Sequence, residues 1–239
     1  MQLFYNPNIS EKDSQFTFDK TESGHIVKSL RKKEGDFLHI TNGKGVLFTV
    51  KIVVANDKRC LVELITAEQQ PNTRNYYIHI AIAPTKNNDR LEWFLEKATE
   101  IGIDEITPII CSNSERTVVK IERLQKIIQS AMKQSLKCTL PILNAPIKFT
   151  EFINQDFDGD IYIAHCEEQE KKSLVKEIKP NQKTTVLIGP EGDFSPKEIE
   201  QALVKKFTPV TLGKTRLRTE TAGITAVQTA VFINELGSI

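Results

Sequence analysis

Two stretches carry residue types suited to holding a small ligand and acting beside it. "LIGPEGDFS", residues 187–195, sets Gly189 and Gly192 around Pro190 and Glu191. Glycine lets a backbone approach a ligand closely, and proline fixes the turn. "LGKTRLRTETAG", residues 212–223, sets Gly213 before Lys214, Arg216 and Arg218, then the lone acid Glu220 and a run of small residues. For one glycine turn, tight connection geometry is the plainer explanation. Two such turns on neighbouring strand ends of one sheet speak for a ligand. Neither stretch is a phosphate loop: GxxxxGK[ST] and GxGxxG are both absent, which argues against a nucleoside triphosphate or a dinucleotide. "NGKG", residues 42–45, is better explained as a hairpin turn.

The elements that must position these stretches alternate along the chain. From residue 76, "YYIHIAIA", "EITPII", "IYIAH", "TTVLIG" and "TPVTLG" read as short apolar strands. Between them lie helical patterns. One is "NNDRLEWFLEKATEIG", capped by Asn88, with Leu91, Leu95, Ala98 and Ile101 on one face and Gly102 at its end. Another spans residues 118–136, with Ile121, Leu124, Ile128, Ala131 and Ser135 on one side. Ser195, Pro196 and Glu198 spell a capping box. A final helix is expected from Thr221 to Leu236. Strands alternating with helices predict a mostly parallel sheet covered on both faces, with ligands beyond the strands' carboxyl ends. The first 65 or so residues read as β, with a hairpin about Asn42-Gly43, a turn at Asn56-Asp57 and the strand "CLVELI". The polar stretch 66–75 reads as a linker between domains covering 1–70 and 71–239.

Composition narrows the setting. No apolar run approaches a membrane span, and the N-terminus lacks signal-peptide character, so a cytoplasmic protein is expected. Cys60, Cys111, Cys138 and Cys166 are scattered and read as buried free thiols. His25, His39, His79 and His165 show no ligand spacing, so no metal is expected. Net charge is +1, yet residues 113–148 hold seven Lys/Arg against two acids, residues 149–170 seven acids and no Lys/Arg, and residues 201–219 five Lys/Arg and no acid. Such blocks are either solvated faces or surfaces that meet a polyanion.

"IGPEGDFSPKEIE" followed by "LGKTRLRTETAGITAV" resembles the RsmE family of SPOUT-class methyltransferases, and the likeness runs over essentially the full chain. "RLEWFLEKATEIGIDEITPIICSNSERTVV", with Lys97, Glu100, Gly102 and Ser114-Glu115-Arg116, resembles the family's central stretch, and "AMKQSLKCTLP" its next segment. "GHIVKSLRKKEGD" with "NGKG" resembles its N-terminal PUA-like β domain. The chain departs from the family at Asp193, usually a second glycine, at Lys137, usually arginine, and at Gly24, usually a second histidine. The resemblance implies an α/β C-terminal domain with a trefoil knot, a homodimer packed through the knot helices including the last one, and S-adenosylmethionine as cofactor. Carried onto this chain, the cofactor site comprises Ala164, Leu187, Ile188, Gly189, Pro190, Glu191, Gly192, Leu212, Gly213, Leu217, Arg218, Thr219 and Ala222.

The activity implied is methylation of N3 of a uridine in small-subunit 16S ribosomal RNA. The difficulty there is the nucleophile, since N3 carries a proton and titrates above neutral pH; each pKa unit to overcome is worth roughly 1.4 kcal/mol. A cation beside the uracil carbonyls stabilises the deprotonated ring. Arg218 is the first candidate and Arg216 the second, with Glu220 or Glu191 to take the proton. The alternatives stay open: a phosphate clamp for Arg218 and a helix N-terminal charge for Glu220. His25, Arg31, Lys32, Arg116, Lys120 and Lys133 are the expected RNA contacts. Two rival readings remain, a SPOUT enzyme acting on transfer RNA and a non-catalytic RNA-binding or ribosome assembly factor.

Overall fold

The computed structural model describes residues 2–71, 74–168 and 170–237. The chain divides into two compact units, one of Met1–Thr73 with Met132–Leu140, the other of Arg74–Ala131 with Pro141–Ile239.

In the first unit, β1 (Leu3–Tyr5), β2 (Gln15–Thr17), β3 (Phe37–Thr41), β4 (Val46–Val54) and β5 (Leu61–Gln69) form one sheet in the order β1-β3-β4-β5-β2. A short helix α1 (Lys20–Gly24) leads directly into a wider π-helical turn, His25–Ser29. The expected hairpin is present: β3 and β4 pair antiparallel, and Gly43 and Gly45 take φ of 75° and 89°, a region that favours glycine. Alternate residues of β4 (Val46, Phe48, Val50, Ile52) point into a core with Phe4, Phe18, Ile26, Ile40 and Val62. The stretch 66–75 is not simply a linker. Thr66–Gln69 extend β5, while Asn72 and Thr73 lie outside the described residues. Residues 139–140 dock on the hairpin. Lys44 bridges Thr139, Leu140 N–H donates to Gly43 O at 2.9 Å, and Thr41 Oγ1 donates to Cys138 O at 3.0 Å.

The second unit runs β6 (Tyr77–Ile82), α2 (Asn88–Ile101), β7 (Glu105–Ile110), α3 (Ile121–Gln134, whose last turn belongs to the first unit), β8 (Ile142–Leu143), β9 (Ile147–Lys148), α4 (Phe149–Phe152), β10 (Asp160–Ala164), β11 (Lys172–Ser173), α5 (Leu174–Glu177), β12 (Lys183–Ile188), α6 (Pro196–Val204), β13 (Thr208–Thr211) and α7 (Thr219–Leu236). Its sheet has the order β11-β13-β10-β12-β6-β7-β8, with β9 also on β7, and every pairing is parallel. β6 and β12 are buried almost end to end, as expected of strands covered on both faces.

Local signals place the helices well, with small corrections. α2 is capped by Asn87, not Asn88; the Asn87 carboxamide accepts from Asp89 N–H at 3.1 Å. α3 begins at Ile121, three residues later than expected, and α7 at Thr219, two earlier. The capping box of α6 is complete: Glu198 Oε2 accepts from Ser195 N–H at 2.8 Å and Ser195 Oγ from Glu198 N–H. One expectation about the sheet fails. The two glycine loops are not on neighbouring strands, since β10 lies between β12 and β13.

Candidate functional site

The loops after β10, β12 and β13 emerge together, because these parallel strands are adjacent in the order β13-β10-β12. Their carboxyl ends enclose two cavities of about 590 and 280 Å³ that share Ala164, Cys166, Asp193, Arg216, Leu217 and Ala222. Gly192, Leu212 and Gly213 line the larger, and Ile188, Gly189, Pro190, Glu191, Arg218 and Thr219 the smaller. Of the expected cofactor residues, Leu187 alone sits elsewhere, enclosed in the core with Phe149 and Phe194.

The loops are tied by specific bonds. Thr219 Oγ1, on the first turn of α7, donates to Gly189 O at 3.1 Å and so joins the two glycine loops across the sheet. Asp193 takes φ of 62°, in the left-handed region where glycine is usual. The residue compensates through its side chain: Oδ2 accepts from Cys166 N–H at 2.7 Å and Oδ1 from Phe194 N–H at 2.8 Å. Asn113 Nδ2 donates to Gly192 O and Asp193 O, at 3.2 and 3.1 Å. Lys171 Nζ donates to His165 O at 3.0 Å and Glu167 O at 2.6 Å, closing the loop after β10. Neither Asn113 nor Lys171 is legible as a site residue, since each acts through partners distant in the sheet or through backbone carbonyls.

Several groups remain chemically poised. His165 is 7% exposed, and neither ring nitrogen has a hydrogen-bond partner among the described residues. Burial and the Lys171 ammonium hold it below its usual pKa, against the pull of Asp193 and Glu167, which favours the neutral ring. Cys166 is exposed, against the expectation of a buried thiol, and Cys138 is half-buried. Burial, then the Asp193 carboxylate, pushes the Cys166 thiol up, so it stays protonated.

Nearby, Arg216, Leu217, Arg218 and Glu220 line another cavity with Arg90 and Trp93 of α2. Glu220 is buried, and Arg90 Nε stands 3.8 Å from its Oε1. Arg90 Nη1 stands 4.0 Å from Glu191 Oε1, which accepts from Lys86 N–H at 3.0 Å. The candidate proton acceptors Glu220 and Glu191 therefore share one guanidinium, a residue the sequence reading missed because it looks like an ordinary helix-surface charge.

The expected RNA contacts are more dispersed. In the first unit, His25 and Arg31 are exposed and Lys32 is half-buried, while Lys133 is paired with Glu22 at 3.3 Å. In the second, Lys120 is exposed, but Arg116 donates from Nε and Nη2 to Lys86 O, at 3.3 and 2.8 Å.

The residues of the cleft suit S-adenosylmethionine. A Cβ built on Gly213 would meet nothing within 4 Å, so the backbone there is open to a ligand. Apolar walls from Ile188, Leu212 and Leu217 suit a purine face, and the imidazole of His165 marks polar capacity that no described residue uses.

Fold and site together define an α/β domain that holds a nucleoside-like ligand at the carboxyl ends of a parallel sheet, in a chain that also carries a β-rich unit. The chain belongs to the RNA methyltransferase domain family, whose model matches residues 72–231; residues 18–65 match the RNA methyltransferase PUA domain. It is 30% identical over 229 residues to the Ribosomal RNA small subunit methyltransferase E of Rickettsia conorii, across 95% of this chain and 93% of that one. The crystal structure of a probable rRNA-methyltransferase from Porphyromonas gingivalis is 40% identical, with a TM-score of 0.92 over 99% of this chain and 100% of that one. The Ribosomal RNA small subunit methyltransferase E of Neisseria gonorrhoeae, solved bound to S-adenosyl methionine, is 26% identical, with a TM-score of 0.83 over 98% of both chains.

Proposed function

We propose that the protein methylates N3 of one uridine in small-subunit 16S ribosomal RNA, with S-adenosylmethionine as methyl donor. The observation that carries this reading is the Thr219–Gly189 hydrogen bond, which ties both glycine loops into one cleft beside Arg216, Arg218 and Glu220. Relatives across nearly the full chain length bear the name Ribosomal RNA small subunit methyltransferase E, and one of known structure holds the same cofactor.

The cofactor residues are Ala164, Ile188, Gly189, Pro190, Glu191, Gly192, Leu212, Gly213, Leu217, Arg218, Thr219 and Ala222. Bound S-adenosylmethionine supplies a methyl group on a sulfonium, whose departure as a neutral thioether needs little acid help. The chain's own residues act on the uridine. Glu220 takes the N3 proton, and Arg218 with Arg216 stabilises charge on the ring carbonyl oxygens. Alignment of N3 by the cavity walls supplies much of the remainder.

The domain assignment is part of the proposal: an RNA-binding PUA-like domain over residues 1–70 and a methyltransferase domain over 71–239, with the trefoil knot of its family. His25, Arg31, Lys32, Arg116, Lys120 and Lys133 are assigned to RNA. A homodimer through α7 fits its exposed Phe232 and Leu236. The expected location is cytoplasmic; among the described residues no helix is long and apolar enough to cross a membrane.

Calorimetric titration with S-adenosylmethionine tests the reading. Saturable binding to the wild type is expected. No binding even at millimolar concentration would favour the RNA-binding assembly factor. Methylation of transfer RNA in place of ribosomal particles would favour the other rival.

A further inference from the structure

The cavity that holds Glu220 has features that methyl donation does not use. It measures about 590 Å³ and is lined by Arg90 and Trp93 of α2 as well as by Arg218 and Glu220. Trp93 is the chain's single tryptophan, and the residue is 44% exposed in a cavity wall. Glu220 is 6% exposed, and its Oε2 has no hydrogen-bond partner among the described residues. Arg90 Nε, at 3.8 Å from Oε1, is beyond hydrogen-bond length. A buried carboxylate oxygen without a donor is costly, so the missing donor is expected from a ligand.

One cavity thus presents two carboxylates, from Glu220 and Asp89, three guanidinium groups, from Arg90, Arg216 and Arg218, and the aromatic face of Trp93. The pairing edge of uracil offers the matching groups: an N3–H between two carbonyl oxygens. Cytosine does not match, because its N3 is a lone pair that meets the carboxylate oxygens and its amino group meets a cation. We propose that Arg90, Glu220 and Arg218 read the pairing edge of the target uracil while Trp93 stacks on its face, so that this cavity selects uracil over cytosine. The assignment rests on the methyltransferase reading and adds two residues to it. Arg90 also stands 4.0 Å from Glu191, which keeps its guanidinium near Glu220 when the cavity is empty. A base that stacks here has left its own stack, as base-modifying enzymes require.

Intrinsic fluorescence gives a direct test, since Trp93 is the sole indole. The full-length protein, saturated with the demethylated cofactor product, is titrated with a uridine trinucleotide and with a cytidine trinucleotide. Quenching is expected with uridine at roughly ten-fold lower concentration than with cytidine. Glu220→Gln is expected to bring the two curves together, because an amide can offer either a donor or an acceptor. In methylation assays, Trp93→Ala is expected to raise KM for RNA roughly ten-fold and Trp93→Phe to restore most of the loss, with cofactor affinity unchanged in both. Equal quenching by the two trinucleotides, or none, from a protein that binds its cofactor overturns the assignment. Fluorescence that follows protein concentration alone overturns it too, by assigning Trp93 to contact with a second copy. Failure of the wild type to bind S-adenosylmethionine would sink the methyltransferase reading itself, and this assignment with it.

Discussion

Arg218 and Asp193 sit in the same cleft, and substitutions separate their roles. Arg218 holds the N-cap position of α7 with extended backbone and no capping side chain, so its guanidinium is free of structural duty there. Arg218→Ala is expected to leave S-adenosylmethionine affinity within about three-fold and to lower kcat roughly 10²-fold, the scale of losing one donor to a developing charge. Loss of cofactor binding in that variant would show that the Arg218 side chain, and not its backbone alone, holds the cofactor. Asp193 is where the sequence departs from the pattern it resembles: the left-handed backbone strains a side chain, and two carboxylate hydrogen bonds offset the strain. Asp193→Ala keeps the strain and loses both bonds, so it should cost about 1–3 kcal/mol, whereas Asp193→Gly relieves the strain and should cost less. Urea unfolding of both variants measures the difference, and equal losses would contradict the compensation argument. The sequence marked Asp193 as unusual. It did not show the remedy, because Cys166 N–H comes near only through the pairing of β10 with β12.

At the scale of elements, α7 and α2 pack closely because Gly223 leaves room for Phe94. A Cβ on Gly223 would stand 2.6 Å from Phe94 Cε2 and 3.1 Å from Ile82 Cδ1. Overpacking of about 1–3 kcal/mol outweighs the helix-propensity gain of at most about 1 kcal/mol, so Gly223→Ala is expected to lower the thermal midpoint. A raised midpoint would show that the Phe94 ring yields freely. The run of small residues that opens α7 stands out in the sequence, though nothing in it names Phe94 as the partner. The capping box of α6 was legible in full, since all its atoms lie within one turn. The end of β5 was not. Its residues are mostly exposed and polar, so no apolar alternation distinguishes strand from linker, and only pairing with β4 reveals it. The Thr219–Gly189 bond was hidden for a similar reason: it joins loops that only the sheet order brings together.

The molecule as a whole answers to pH through buried imidazoles. His79 is buried, with Nε2 at 2.8 Å from Thr107 Oγ1. Burial lowers its pKa, against the pull of Glu105, and His165 shifts the same way. A folded-state pKa below the unfolded value of about 6.5 means that the unfolded chain binds more protons in the window between them. Stability is therefore full above about pH 6.5 and is lost as pH falls below it. Unfolding free energies at pH 7.5 and 5.5 are expected to drop in that order, with a smaller drop in His79→Gln, which cannot titrate. An identical drop in the variant would remove His79 from the account. Charge also acts at this scale. A net charge of +1 hides basic blocks, so binding to ribosomal particles is expected to weaken steeply with salt.

Mass spectrometry of nucleosides reads the proposed methyl transfer at the atom that receives it. Small ribosomal subunits from cells lacking this gene would be incubated with the protein and S-adenosylmethionine, and their 16S RNA digested to nucleosides. One equivalent of N3-methyluridine per particle is expected, absent from the untreated subunits. Particles that stay unmethylated in the presence of a protein that binds the cofactor, or a methyl group found on another atom, would contradict the proposed reaction.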